Sequence, residues 1–385
     1  MIQQKKYYRS LKQFQKSQLS SHKVLHIDFT SYNSDDQLVL RLASALEKCT
    51  NLQNLEFDAC YNKISATGAS GLGISLAKCA KLSDLTLNFN SNQIGDEGAS
   101  GLGSALANCI NLSNLILLLE QNQIGAIGAS GLVSGLSKCS NLSKLTLDLY
   151  FNQIGDEGLS GLGSALANCI NLQNLTLILG VKNIGAISVS DLAYGLAKCS
   201  NLSNLIFVLN QSLIGDEGAS VLGSALANCK NLQNLSLSLT YSNIGDQGVS
   251  NLSIAIENSI NLLNLTLNLT NNHIGSIGVS HLGSALASCP KLSYLTLDLS
   301  NNEICAIGAS DLGSALESCP KLSYLDLYLN GNQIGDEGLL SLGSALANCT
   351  YLSNLNIGRL EGESNQKFKN KCLKQKRLVF FRQDC

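Results

Sequence analysis

A thirty-residue period runs without insertion from about Ser21 to Thr350, and no other feature limits the possible folds so tightly. Ile64, Ile94, Ile124, Ile154, Ile184, Ile214, Ile244, Ile274, Ile304 and Ile334 share one phase without exception. Ten cysteines, from Cys49 and Cys79 through Cys319 and Cys349, share another, broken only by Ser259. Eleven units fit this frame, followed by a partial one. A typical unit opens with Leu85, Leu87 and Phe89 alternating with Thr86 and Asn88, the period-two signature of a strand. It closes with Ala99, Leu102, Leu106 and Cys109, which fall on one side of a helix. Asp96 is expected to cap that helix, with Glu97 favoured at its positive end. Pro290 and Pro320 stop the helix from continuing in two units. The many glycines are poor helix formers, and their small size allows neighbouring helices to approach closely.

One such coil cannot bury its apolar side alone, whereas stacked coils share a continuous core. The spacing therefore predicts an α/β solenoid with twelve strands, beginning near Leu25, Leu55 and Leu85 and ending near Leu355. Their single parallel sheet would span on the order of 50–60 Å at about 4.8 Å per strand. Helices are wider than strands, so the expected form is a horseshoe or arc, with a concave sheet and convex helices. The expected segments are an N-terminal capping segment over 1–20, the solenoid over 21–358 and a basic C-terminal cap over 359–385. Tyr8, Leu11 and Phe14 would form one face of the first cap. Phe368, Cys372 and Leu378–Phe381 would supply a short helix and last strand to the second.

Leu-x-x-Leu-x-Leu-x-Leu-x-x-Asn-x-Ile-Gly-Asp-Glu-Gly-Ala resembles the ribonuclease-inhibitor-like class of leucine-rich repeats over about 330 of the 385 residues. That class includes ribonuclease inhibitor, the Ran GTPase-activating protein and the repeat arrays of nucleotide-binding immune receptors. Two extra residues between the strand leucines and the Asn lengthen the usual unit, which implies a longer strand or turn. A Ran-type GTPase activator would need an Arg on a loop of the early repeats. The only arginines here are Arg9, Arg41, Arg359, Arg377 and Arg382, and Arg41 sits on a helix-like segment.

Composition narrows the function classes. The formal charge is −2, but residues 1–20 and 359–385 each carry a net +5, which leaves about −12 between them. An acidic body argues against a nucleic-acid surface along the repeats. The longest apolar runs are too short for a bilayer, and no signal-peptide pattern follows the N-terminal charges. The fourteen cysteines are a repeat feature with no CxxC pair, which points to a reducing, cytoplasmic setting. Pairing of the cysteine column with a metal is disfavoured against its role as an apolar filler. His22 and His26 are four apart but run into a strand. The Gly-Asp-Glu-Gly segments lack the ligand spacing of a calcium site. No phosphate loop, kinase signature or nucleophile elbow occurs. No cofactor, metal or small-molecule substrate is expected, and the chain reads as a non-enzyme.

The repeated Asn side chains, from Asn62 and Asn92 to Asn332, are expected to bond to turn backbone, with breaks at Lys182, Ser212 and Ser242. The concave face remains as the informative surface. Most of its positions hold Thr, Asn and Ser, but Ile116, Leu118, Ile178, Ile206 and Val208 stand near the centre, interrupted by Thr146 and Asp148. Glu56 and Asp58 lie toward one end, and Tyr294, Tyr324, Tyr328, Asp298 and Asp326 toward the other. Exposed apolar side chains and tyrosines favour contact with a protein partner. The expected role is a protein-interaction module or scaffold. The alternatives are a structural subunit of a cytoskeletal or ciliary assembly, or a Ran-type activator.

Overall fold

Apolar–polar alternation becomes a strand in every unit of the computed structural model, which describes residues 5–31, 33–180, 184–359, 365–375 and 377–383. Two compact units make up the chain, Met1–Val181 with Tyr194–Asn201, and Lys182–Ala193 with Leu202–Cys385. In the first, strands β1 (Lys6–Tyr8), β2 (Val24–Asp28), β3 (Asn54–Asp58), β4 (Asp84–Asn88), β5 (Asn114–Leu118), β6 (Lys144–Asp148) and β7 (Asn174–Gly180) pair in sequence order, all parallel. In the second, β8 (Asn204–Asn210), β9 (Asn234–Ser238), β10 (Asn264–Asn268), β11 (Tyr294–Asp298), β12 (Tyr324–Tyr328), β13 (Asn354–Ile357) and β14 (Phe380–Gln383) do the same. Parallel pairing needs a crossover, and a helix supplies it in each coil.

Those helices follow α1 (Leu11–Lys16) and are α2 (Asp36–Leu46), α3 (Ala66–Leu76), α4 (Gly95–Leu106), α5 (Ala126–Leu136), α6 (Gly155–Leu166), α7 (Ala186–Lys198), α8 (Gly215–Leu226), α9 (Asp246–Glu257), α10 (Ser276–Ala287), α11 (Ala306–Glu317), α12 (Gly335–Asn348) and α13 (Asn365–Cys372). Inward leucines such as Leu115, Leu117, Leu132 and Leu136 are buried between strand and helix. Close helix approach does depend on glycine. A side chain on Gly135 would overlap the Gly103 carbonyl of the neighbouring helix.

The two extra residues lengthen both the pairing and the turn. Beyond β5, Leu119 N–H donates to Asp148 O at 2.9 Å and Gln121 N–H to Tyr150 O at 3.0 Å, and Leu119 adds a third inward side chain. A left-handed residue then reverses the chain. Tyr61, Gln121, Phe151, Gln211, Tyr241 and Asn271 hold this place with φ between 52° and 60°. Non-glycine residues adopt this region at a cost, so surrounding bonds must hold it.

Those bonds come from the asparagines. Asn272 Nδ2 donates to Leu239 O and Leu269 O, each at 2.9 Å, while its Oδ1 accepts from Ser242 N–H at 3.1 Å and Ile244 N–H at 3.0 Å. One side chain thus ties two coils and its own turn together, as the sequence indicated. Ser212 and Ser242 replace the ladder with a hydroxyl pair at 3.2 Å, while Lys182 lies outside the described residues.

Helix capping departs from expectation. Asp96 does not cap its own helix, which begins after Ile94 with Gly95 at φ +59°. Its Oδ1 accepts instead from Gly125 N–H at 2.6 Å and Gly128 N–H at 3.0 Å, at the start of the next helix. Asp216 does the same for Gly245 and Gly248, and Asp246 for Gly275 and Gly278. Stacking sets the first turn of one helix beside the first turn of the next, so the carboxylate reaches across the coil boundary.

The cysteine column is buried. Cys139 Sγ donates to Leu106 O of the preceding coil at 3.4 Å, and Cys289 to Ile256 O at 3.3 Å. Burial pushes the thiols of Cys139, Cys169 and Cys229 up to about 11 and those of Cys109, Cys319 and Cys349 up to about 12. Cys372, which its place in the tail suggests is reachable, is fully buried with Phe368 on the inner side of α13. Cys305 differs, being half-buried at the start of α11. The Ser276 hydroxyl, 3.0 Å from its sulfur, and nearby backbone N–H groups lower its pKa. Thiol labelling of native protein at pH 7 should therefore modify Cys305 at least about a hundredfold faster than Cys109, Cys169 or Cys372. Cys385 lies outside the described residues. Mass mapping of early adducts checks this, and equal rates along the column would contradict it.

At the N-terminal end, Tyr8 lies on β1, pairing with Ile27, and not on the capping helix. Only Leu11 and Phe14 face inward from α1, and the Tyr8 ring packs 5.3 Å from Phe14. The expected last strand is present as β14 beside β13.

Candidate partner-binding face

Each outward residue singled out in the sequence does point away from the core. Ile116 and Leu118 alternate with buried Leu115 and Leu117 on β5, and Ile178 follows buried Leu177 on β7. In the register, Asp148 of β6 stands opposite Leu118 on one side and Ile178 on the other. The first unit thus brings an aliphatic–carboxylate–aliphatic row onto its sheet face. In the second unit, Ile206 and Val208 lie side by side on β8 and face Ser236 and Ser238 of β9. Ile206 is 43% exposed, the most open of the aliphatic set.

Farther along the second unit, Tyr294 of β11 and Tyr324 of β12 stack with centroids 4.0 Å apart and planes 8° apart. The Tyr324 hydroxyl donates to Asp326 Oδ2 at 3.2 Å. The Tyr294 hydroxyl, burial and the Asp326 carboxylate together raise its pKa above the ordinary tyrosine range. Tyr328, in register with Asp298, accepts from Asn356 Nδ2 at 3.1 Å. These tyrosines present a flat, held surface that needs little ordering on contact.

Sequence reasoning missed the occupants of the first strands. Period-two alternation of Lys5, Tyr7 and Arg9 is the signal that marks them. Lys5 Nζ lies 2.6 Å from Glu56 Oε2, and His26 Nδ1 lies 2.9 Å from the same oxygen. Tyr7 Oη donates to Asp28 Oδ2 at 2.7 Å and Arg9 Nε to the same oxygen at 3.1 Å. Burial alone would raise Asp28, but bonds from Tyr7, Thr30 and Arg9 hold it at about 2. Glu56 and Asp28 are thus already covered by basic residues of this chain, while Asp58 accepts from Thr30 and Asn88 instead. His22 faces the core and bonds to Ser17, so the two histidines do not converge. Glu120 and Tyr150, just beyond β5 and β6, also belong to the face. No helix of the described residues is long and apolar enough to cross a membrane.

A family model described as "Leucine Rich repeat" matches residues 83–103, 141–163, 231–253, 262–283 and 318–343. Every match falls on the strand–turn–helix coil described above. The chain is a leucine-rich repeat solenoid. No curated protein matches it. Among solved structures, a chain of the complex of Rad7 and Elc1 in yeast is similar at 15% identity and a TM-score of 0.49, over 94% of this chain and 79% of that one. A leucine-rich repeat protein of Leptospira interrogans is similar at 16% identity and a TM-score of 0.37, over 99% and 100%. Within the leucine-rich repeat fold, the inward leucines and the asparagine ladder serve stability.

Proposed function

We propose that this leucine-rich repeat chain is a non-enzymatic protein-interaction module or scaffold that takes its partner on the outward face of the sheet. The observation that carries this reading is the set of aliphatic residues at strand positions where most other coils place polar or acidic side chains. Ile116, Leu118 and Ile178 in the first unit, and Ile206 and Val208 in the second, keep water-facing apolar surface on a rigid parallel frame. Tyr294, Tyr324 and Tyr328 extend the contact surface of the second unit. Solenoid proteins use such extended faces for binding. The same reading places the protein in the reducing cytoplasm. Its support is that the thirteen described cysteines are all unpaired.

Affinity capture or proximity labelling with the intact chain identifies the partner. Leu118→Asn with Ile178→Asn should then lower affinity about tenfold or more, since each removes a partly dried aliphatic contact worth about 1 kcal/mol. Melting should change little, because both side chains lie outside the core. Ser164→Asp, on the exposed side of α6, is the control. Full affinity in the sheet double variant, with loss in the helix variant, would move the site to the helical side.

A further inference from the structure

Asp28 of β2 and Glu56 of β3 carry this chain's own cations, whereas Asp148 of β6 and Glu120, just past β5, do not. Asp148 closes β6 between Leu118 and Ile178. Its Oδ1 accepts one backbone bond, from Tyr150 N–H at 2.9 Å. Glu120 stands two residues beyond Leu118, and among the described residues its carboxylate receives only a long bond from Asn90 Nδ2, 3.4 Å from Oε2. Burial raises the pKa of both, and the charge of Asp148 raises Glu120 further. Among the described residues no ion pair involves either carboxylate. Lys144 is the only cation on the outward positions of β5, β6 and β7, and it sits at the opposite end of β6. Asp84 is the only titratable group on those of β4. Beside the pair, the ring of Tyr150 lies over Gly180, where any side chain would collide with it.

We propose that Glu120 and Asp148, walled by Leu118, Ile178 and Tyr150, seat an arginine side chain of the protein partner. This rests on the sheet-face reading above and names the chemistry that the face selects. Charge complementarity is the first argument, since two uncompensated carboxylates among aliphatic neighbours gain most from a cation that dries with them. The second is the chain's own N-terminal strand. There Arg9 bonds to Asp28 while its guanidinium lies 5.3 Å from the Tyr7 ring centroid. Carboxylate, aromatic ring and guanidinium already meet once on this face. A guanidinium suits the second place better than an ammonium. It is flat, weakly hydrated and able to bridge two carboxylates, and its methylene stem packs on Leu118 and Ile178.

The test uses the full chain and three fluorescent peptides of alternating Leu and Ser that carry arginine, lysine or citrulline at the same positions. At about 0.15 M salt, where weak surface attraction is screened, the arginine peptide should bind at least about tenfold tighter than the citrulline peptide and severalfold tighter than the lysine peptide. Glu120→Gln with Asp148→Asn should abolish the difference without lowering the melting temperature, and each single change should remove part of it. Near pH 5 the arginine peptide should release protons on binding, a readout that a purely apolar contact would not give. Equal binding of arginine and citrulline peptides overturns the proposal. Lysine binding as tightly as arginine overturns the guanidinium assignment, and equal loss in Glu97→Gln with Glu157→Gln marks the attraction as nonspecific. With the captured partner, loss in Leu118→Asn with Ile178→Asn but not in Glu120→Gln with Asp148→Asn refutes the arginine seat alone. Full binding by both variants refutes the sheet face itself.

Discussion

Between about pH 9 and pH 11 the folded repeats should lose stability steeply, with the buried thiols setting the slope. An unfolded cysteine loses its proton near pH 8.5. In the folded chain Cys79, Cys139, Cys169, Cys229 and Cys289 keep theirs to about 11, and Cys49, Cys109, Cys319, Cys349 and Cys372 to about 12. In that window the unfolded chain binds fewer protons than the folded one, so stability falls as pH rises. Below pH 8 the thiols add no slope. Each thiol that ionises only on unfolding contributes about 1.4 kcal/mol per pH unit, and several in one cooperative stretch should suffice to unfold it. Urea titrations from pH 7 to pH 11 measure this. Replacing Cys109, Cys139 and Cys169 together by Ala should weaken the protein at pH 7 yet flatten the alkaline limb. An unchanged slope would show that the column does not govern it.

Asn272→Ala should cost about 3–5 kcal/mol, although the residue is polar. Removing it leaves the Ser242 and Ile244 N–H groups and the Leu239 and Leu269 carbonyls without their side-chain partner. An unsatisfied buried group costs about 1–3 kcal/mol, and relaxation recovers part of the sum. Asn272→Ser should cost about half as much, because Ser212 and Ser242 show that a hydroxyl can hold this place with fewer bonds. Chemical denaturation of the two variants, with hydrogen exchange at Ile244, provides the measurement. A cost below about 1 kcal/mol for the alanine variant would place the ladder at the surface.

Most of the coil is legible from sequence because the period repeats each constraint between seven and twelve times. Leu85, Asn92, Ile94 and Cys109 each recur at thirty-residue steps, so their common role survives any single exception such as Ser259. Parallel stacking in register also makes equal phases neighbours, and Tyr294 on Tyr324 follows from that. Interactions that cross phases are hidden. Asp96 looks like a cap for the helix it begins. Only the offset between stacked coils shows that it serves Gly125 and Gly128. Glu120 and Tyr150 lie past the last alternating residue, where the pattern reads as loop, although backbone pairing continues there. Tyr8 carries helix-compatible spacing with Leu11 and Phe14, yet the unpaired edge of β2 offers its backbone hydrogen bonds and draws it into a strand.

Caps handed forward give the array a direction. The helices beginning at Gly95, Gly155, Gly215 and Gly335 start on a left-handed glycine, and the coil before each has Ala66, Ala126, Ala186 or Ala306 where the capping aspartate would stand, while those beginning after Gly125, Gly245 and Gly275 depend on the aspartate before them. Deleting the coil of Asp96 or of Asp216 sets Ala66 or Ala186 ahead of a dependent helix and strips its cap; deleting a stretch that ends just before a self-starting one does not. Duplication and loss of gene segments would therefore be tolerated at some joints and punished at others. The cassette that heredity can shuffle is the self-starting coil together with its dependents, not the thirty-residue repeat.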